Sequence, residues 1–339
     1  MRARGHEVIM VVSKGGGLVP RARAKGFTVY ELSFKKRGAL WALLKLISLL
    51  TRHKIDIINT HSSKDAWLGG IVGRLLKKKI VRTRHLSTPI RAGLNSRLLY
   101  NTLADFVVTT SQAIVPIIRV QAALPAARIR SIPTGVEPFT VNPREVAAFR
   151  STLGLTAQDI LVGTVCFVRS WKGIEDFMRA AHLLKAVKHL KWVIIGGGYL
   201  ENYTPKLDEL SLREVLTFTG HLDSPYAAIA ALDIFALLST AHEGVSQASL
   251  QAAYLEKPLI TTTVGGLPEV CLDQETGLHV PCFSPHKVAE AVLQLKQAEA
   301  ERLAMGVRAK QLVLSKFTFQ NTLNQMEEVL CTPVRCTPR

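Results

Sequence analysis

EGVSQASLQAAYLEKPLITTTVGGLPEV, running from Glu243 to Val270, is the stretch whose reading decides the fold. It opens with an acidic residue beside a glycine, Glu243-Gly244, followed by the small and polar run Val245 to Ser249. That run suits a loop turning into a helix, and Leu250, Ala252, Ala253 and Leu255 continue it at helical spacing. Pro258 ends the helix, because it has no N–H and restricts the residue before it. Leu259 to Thr262 then reads as a short strand, and Gly265-Gly266 as the tight loop after it. A helix start with free N–H groups at a strand end is a ready anion site. A carboxylate fixed beside such a site can accept hydrogen bonds from a polyol.

This arrangement resembles the donor-sugar site of the group 1 (family 4) glycosyltransferases. Their signature is a Glu, seven residues, a second Glu, a small-residue helix, Pro, a strand, Gly-Gly and another Glu. Its positions here are Glu243, Gln251, Pro258, Gly265, Gly266 and Glu269. The resemblance extends along almost the whole chain. It implies a GT-B fold and transfer of a sugar from a nucleotide-diphosphate sugar, with retention at the anomeric carbon.

Outside that stretch, strand and helix signals alternate. Glu7–Val12, Thr28–Leu32, Ile55–Thr60, Ile80–Thr83 and Phe106–Thr110 read as buried strands, with helices near 39–52, 64–77, 95–104 and 111–121. Ile132-Pro133-Thr134-Gly135-Val136-Glu137-Pro138 breaks the pattern and suits a linker. A second alternation follows, with strands at Leu161–Phe167, Lys191–Ile195, Val215–Thr219, Ile234–Leu238, Leu259–Thr262 and Gly277–Val280. The expected fold class is α/β: two Rossmann-like, doubly wound parallel-sheet domains facing a cleft, with ligands at the carboxyl ends of the strands. The expected divisions are an acceptor-side domain over 1–137, a donor-binding domain over 138–320, and a C-terminal helix and tail over 321–339. The motif Arg4-Gly5-His6-Glu7-Val8 matches the end of the family's first helix and its entry into the second strand. The family's first strand and most of its first helix have no counterpart here, so the first domain is expected to be incomplete, with two unpaired strand edges. A wrong start site and a truncated relative both fit that reading.

Composition agrees with a folded two-domain chain: 339 residues, 47% hydrophobic and 20% charged. No apolar run is long enough to span a membrane; Ala39–Leu50 is short and carries Lys45. Val8–Val12 is too brief for a signal-peptide core. Cys166, Cys271, Cys282, Cys331 and Cys336 are scattered and odd in number, which suits reduced cytosolic thiols. Residues 1–150 hold 26 Lys and Arg against 7 Asp and Glu, a balance of +19, whereas residues 151–339 hold 17 against 19, or −2. A field of that kind favours a polyanionic partner such as anionic lipid or lipopolysaccharide phosphate. Nucleic acid is disfavoured, because no aromatic residues interleave with the basic runs as stacking platforms. Lys35-Lys36-Arg37 leads into Trp41, Leu44, Ile47 and Leu50 at helical spacing. That helix either lies on a membrane surface or packs on its own sheet. The expected location is the cytoplasm, with peripheral attachment to the inner face of its membrane.

Several smaller motifs fall at strand ends. Arg169-Ser170-Trp171-Lys172-Gly173 brings two cations to a strand exit, where they can clamp a diphosphate. The family pattern puts its Arg where this chain has Phe167, so Arg169 acts from a shifted place if it acts at all. His61 and His85 follow two successive first-half strands. The resemblance places His85 near the transferred sugar; the position of His61 at a strand end suits orienting the acceptor. Gly15-Gly16-Gly17 and Gly196-Gly197-Gly198 do not complete G-x-G-x-x-G, since Pro20 and Glu201 occupy the third position. Both suit close backbone turns at strand ends. No Asp-x-Asp and no metal-spaced His or Cys cluster occurs, so no metal and no cofactor beyond the sugar-nucleotide co-substrate is expected.

The resemblance also assigns roles. Glu243 binds the sugar hydroxyls, Arg169 and Lys172 the leaving phosphate. Gly244, Val245, Ser246, Gly265 and Gly266 offer backbone N–H groups, Gly196 belongs to the donor side, and position 251 holds the ribose. Gln251 offers one acceptor oxygen where a carboxylate offers two, a difference of about 1–2 kcal/mol for a lost charge-assisted bond. The acceptor that the resemblance implies is a glycan or a lipid-linked glycan of the bacterial envelope. A catalytically inactive binding module of the same fold stays open.

Overall fold

The computed structural model describes residues 1–33, 38–85 and 88–332. The run Lys35-Lys36-Arg37 and Cys336 lie outside the described residues. In the first half, β1 (Ile9–Ser13), α1 (Leu18–Ala24), β2 (Thr28–Leu32), α2 (Ala39–Arg52), β3 (Ile57–Thr60), α3 (Ser63–Leu75) and β4 (Lys79–Arg84) alternate. They are followed by α4 (Leu94–Arg97), a wider turn over Leu98–Thr102, β5 (Phe106–Thr109), α5 (Ile114–Ala122) and β6 (Ile129–Ser131). Strands β3 to β6 form a parallel sheet in sequence order, as short β-α-β connections dictate. Strand β6 escaped the sequence reading: three residues just before Pro133 are too few to show a period.

β1 and β2 form a separate parallel pair. Among the described residues β1 bonds only to β2, and β3 only to β4, which are the two unpaired edges expected from the sequence. Apolar packing bridges the break. Val11 of β1, Leu32 of β2 and Ile58 of β3 belong to one cluster with Leu46 and Leu50 of α2 and Val72 of α3.

The stripe Trp41, Leu44, Ile47 and Leu50 divides between core and surface: Ile47 and Leu50 pack inward, and Trp41 and Leu44 do not. Ala42, Leu46, Leu49 and Leu50 are buried, whereas Leu40, Trp41 and Leu44 are exposed. The helix is apolar nearly all round, so spacing alone could not choose its inner face. Packing against the strands and α3 chose it.

The second half contains α6 (Pro143–Thr152), β7 (Ile160–Val165), α7 (Ile174–Leu183), β8 (Leu190–Ile195), α8 (Lys206–Glu209) and β9 (Leu216–Gly220). Then come α9 (Tyr226–Ala230), β10 (Ile234–Leu237), α10 (Gln247–Tyr254), β11 (Leu259–Thr261), β12 (Gly277–His279), α11 (Pro285–Gln297) and α12 (Glu299–Lys316). Its six-stranded parallel sheet has the order β12-β11-β10-β7-β8-β9. The reversal between β7 and β10 puts a topological switch point at their carboxyl ends, where such sheets bind ligands. An apolar layer covers each face of this sheet: Phe177, Met178 and Trp192 lie in one, Phe235, Leu250 and Leu267 in the other.

The last helix, α13 (Phe319–Cys331), returns to the first half. Val329 packs with Val81, Val108 and Ile132, while Glu328 pairs with Arg130 at 2.7 Å and Glu327 meets His6 at 2.7 Å.

Candidate functional site

The chain leaves β10 through Ser239 and reaches Glu243 by way of His242, a non-glycine residue at φ 63°. The Glu243 side chain is buried, so its charge must find partners inside the protein. It has two. Ser239 Oγ donates to Oε1 at 2.7 Å, and the Lys172 ammonium pairs with the same oxygen. Lys172 is brought there by the glycine after it: Gly173 has φ +67°, and a Cβ at that position would run into the Leu238 carbonyl. No side-chain-bearing residue fits there without moving β10 away from the Lys172 turn.

The Gly265-Gly266 loop holds the Glu243 segment from the other side. A Cβ on Gly266 would lie 2.6 Å from Gly244 C and Val245 N, and the Gly266 N–H donates to the Glu243 carbonyl at 3.3 Å. Val245 N–H donates to Thr110 O at 3.2 Å. Two of the five amides assigned to the ligand are therefore used within the protein, Val245's on the opposite half and Gly266's on the Glu243 segment itself. The amides of Gly244, Ser246 and Gly265 make no hydrogen bond among the described residues. Ser246 Oγ accepts from Ser249 N at 3.3 Å and caps α10. Gln251 stands on α10, half-buried, its amide without a protein partner among the described residues.

The first half contributes the strand ends of β3, β4 and β5. His61 Nδ1 and His85 Nε2 are 2.9 Å apart, a hydrogen bond in which one ring donates and the other accepts. Both residues are open to the cleft, yet nearby protein displaces enough water from the rings to hold both below the usual histidine value of 6.5. The charge of His85 adds to this for His61, while Asp65 pulls both the other way.

The two halves meet at this point. A Cβ on Gly244 would lie 2.6 Å from Thr110 Oγ1 and 3.3 Å from the His85 carbonyl. Thr88 Oγ1 lies 3.2 Å from His242 Nδ1, and Glu269 Oε1 accepts from Gln112 N at 2.7 Å. Glu269 thus reaches across to the start of α5. Its carboxyl is pushed above the usual carboxylate range, chiefly by burial, with the amides of Gln112 and Ala113 opposing.

Glu243 and Lys172 therefore meet beside Gly244 and Gly266, the His85 backbone lies against Gly244, and His61 is tied to the His85 ring. Arg169 does not join the Glu243 pair. Its guanidinium lies between the rings of Phe167 and Trp171, 4.5 and 5.2 Å from their centroids, and its buried Nε has no partner among the described residues. Gly196 acts through the backbone: at φ +134° it sits against the Cys166 carbonyl, leaving no room for a side chain. Burial pushes the Cys166 thiol up to about 11, so it is no nucleophile at neutral pH. Sequence reasoning missed Ser239, Thr110 and His242 and gave Glu269 no task. A lone Ser or Thr beside a strand end carries no spacing signal, and a contact between halves leaves none in a single chain. Among the described residues no three His, Cys, Asp or Glu side chains converge to hold a metal ion.

Comparison with known proteins places each half. The model for "Glycosyltransferase Family 4" matches residues 1–138, and that for "Glycosyl transferases group 1" matches residues 160–298. N-acetyl-alpha-D-glucosaminyl L-malate synthase of Bacillus anthracis is 22% identical over 295 residues, covering 84% of this chain and 77% of the relative. The capsular polysaccharide biosynthesis glycosyltransferase CapM of Staphylococcus aureus is 24% identical, covering 86% and 81%. Among solved structures, HepE of Anabaena in complex with UDP and glucose superposes with a TM-score of 0.82 at 20% identity, covering 95% of this chain and 91% of HepE.

Proposed function

Because the chain belongs to the group 1 (family 4) glycosyltransferases and has their GT-B fold, we propose that it moves a sugar from a nucleotide-diphosphate sugar to a glycan or glycolipid acceptor of the bacterial envelope, with retention at the anomeric carbon. The observation that carries this reading is the buried Glu243 carboxylate, held by Lys172 and Ser239 and set against the His85 end of the opposite half.

In this reading Glu243 accepts hydrogen bonds from the sugar hydroxyls, and Ser239 fixes its rotamer. Lys172 offers positive charge to the leaving phosphate, and the amides of Gly244, Ser246 and Gly265 add N–H donors at the start of α10. Arg169 supplies charge from between its two aromatic neighbours if the side chain swings toward the diphosphate. These groups take the part a divalent cation plays elsewhere, so the transfer is proposed to need no metal. Gln251 receives the ribose with one acceptor oxygen. His85 faces the sugar and His61 the acceptor. HepE's complex with UDP and glucose supports a uridine nucleotide as the first donor to try.

The acceptor side is proposed to work at the inner face of the cytoplasmic membrane. No helix among the described residues is long and apolar enough to cross a membrane. Exposed Leu40, Trp41 and Leu44, with Lys45 4.8 Å from the Trp41 centroid, give α2 an apolar patch edged by positive charge, suited to anionic lipid.

A second reading, a binding module without turnover, is favoured by Gln251 in place of an acid. One experiment separates the two: nucleotide-diphosphate release from a panel of UDP-, GDP- and ADP-sugars, for the chain and for Glu243→Ala. Release that depends on Glu243 supports the enzyme and names the nucleotide. Binding without release supports the module, and neither binding nor release sinks both.

A further inference from the structure

On the face of the first sheet covered by α3 and the Leu98–Thr102 turn, two guanidiniums share one phenol. Arg82 and Arg84 stand two residues apart on β4, so both project from the same face. Arg82 Nη2 donates to Tyr100 Oη at 3.2 Å and Arg84 Nη1 donates to it at 2.7 Å, while the Arg82 guanidinium lies 4.2 Å from the Tyr100 ring centroid. Arg84 Nη2 also donates to the Thr88 carbonyl.

Arg82 is 4% exposed, and its Nε and Nη1 make no hydrogen bond among the described residues; nor does Nε of Arg84. Thr60, which the β3–β4 register sets beside Arg82, is 3% exposed, and its hydroxyl is equally unpartnered. Neither arginine forms an ion pair with an Asp or Glu among the described residues. Burial holds Arg82 below the usual guanidinium value; Asp65, whose charge weakly opposes this, is committed through its two oxygens to the N–H groups of Ser62 and His61, at 2.7 and 3.0 Å.

Two like charges, one of them almost wholly buried and left with two unused donors, are an unstable arrangement unless an anion completes it. The fork geometry of a guanidinium matches the paired oxygens of a phosphate group. Thr60 and Arg84 are the last residues of β3 and β4, one residue before His61 and His85. We propose that Arg82, Arg84, Tyr100 and Thr60 form an oxyanion site that takes a phosphate group carried by the acceptor. The proposal rests on the glycosyltransferase reading above, in which the donor diphosphate belongs to Lys172 on the other half.

The test is calorimetry and thermal melting of the full chain, titrated with inorganic phosphate or with glycerol 3-phosphate against chloride at matched ionic strength. UDP is titrated in parallel as the readout of the donor site. The expected result is a rise in Tm with both phosphates and binding of glycerol 3-phosphate at least tenfold tighter than inorganic phosphate. Arg82→Met should lose that binding, keep the UDP affinity, and melt higher than the parent in phosphate-free buffer, since it removes an uncompensated buried charge. Tyr100→Phe, which keeps the ring, should weaken phosphate binding without altering UDP binding. Equal affinity for the two phosphates overturns the assignment to the acceptor. A parent that ignores both, together with an Arg82→Met variant that melts lower, makes the arginines purely structural and overturns the site. Loss of UDP binding alone, with the phosphate response intact, counts against the donor reading and not against this one.

Discussion

The chemistry of the cleft rests on how single residues are constrained. Glu243 is a buried carboxylate whose one oxygen is shared by a hydroxyl and an ammonium. Glu243→Gln keeps its shape but removes the charge that holds Lys172. Sugar-nucleotide turnover should fall by about 10²-fold or more, as when one preorganised polar group is removed from an active site. Stability should fall by about 1–3 kcal/mol, because Lys172 loses its partner in a largely enclosed place. Steady-state kinetics and urea unfolding of the purified variant check both. The histidine pair gives a second test. Both rings are held below 6.5, so the unfolded chain binds those protons more tightly than the folded one. Their contribution to stability is therefore present above pH 6.5 and is lost as pH falls from 6.5 through the lowered folded values. Nuclear magnetic resonance titration should find both midpoints below 6.5, and removing His85 should raise that of His61. A midpoint for either ring above 6.5 contradicts this account.

At the scale of elements, close approach of backbones is what places the charged groups. Gly266 meets the Gly244–Val245 backbone with no room for a methyl group, and Gly173 meets Leu238 in the same way. Gly266→Ala should push the Glu243 loop away from β11 at a cost of about 1–3 kcal/mol, typical of overpacking. Donor affinity should drop at least tenfold, a loss larger than the change in melting temperature would suggest, because Glu243 is displaced along with the loop. Calorimetry with the accepted sugar nucleotide reads this directly. The sequence made these glycines conspicuous, but only as turn formers. Their partners, Gly244 and Leu238, lie in other loops, and no local pattern pairs them. Helix α2 makes the complementary point, since its helical stretch is legible in the sequence while its inner face depended on what packed against it.

At the scale of the whole molecule, the halves are joined by few polar contacts at the cleft and by α13 at the back. Glu269 caps the start of α5 from across the cleft. Glu269→Ala should cost about 1 kcal/mol, as loss of a helix N-cap does, and should loosen the contact between the halves. Small-angle scattering should then show a larger radius of gyration, with little change in far-ultraviolet circular dichroism. The charge of the first half makes a further prediction. Binding to vesicles of anionic lipid should be salt-sensitive, and Trp41→Ala with Leu44→Ser should weaken it about tenfold or more, given the apolar area removed. Neutral vesicles should bind weakly, and equal binding to both would dispose of the electrostatic part of the argument.

Sequence by itself determined the α/β alternation, the parallel strands of each half, the loop and helix around Glu243, and the two histidines at successive strand ends. These are local matters, since period, proline and glycine act on the residues beside them. It also pointed to the break between β1 and β3. Only the tertiary structure decided that Ser239 and Lys172 meet on one oxygen of Glu243, that His61 and His85 share a hydrogen bond, and that Val245 and Gly266 spend their amides inside the protein. It alone set Arg82 and Arg84 against a single tyrosine with donors to spare. The physical reason is the same throughout: desolvation and pairing depend on which chain segments come within about 3 Å of one another, a distance at which hydrogen bonds form, and sequence separation does not encode that.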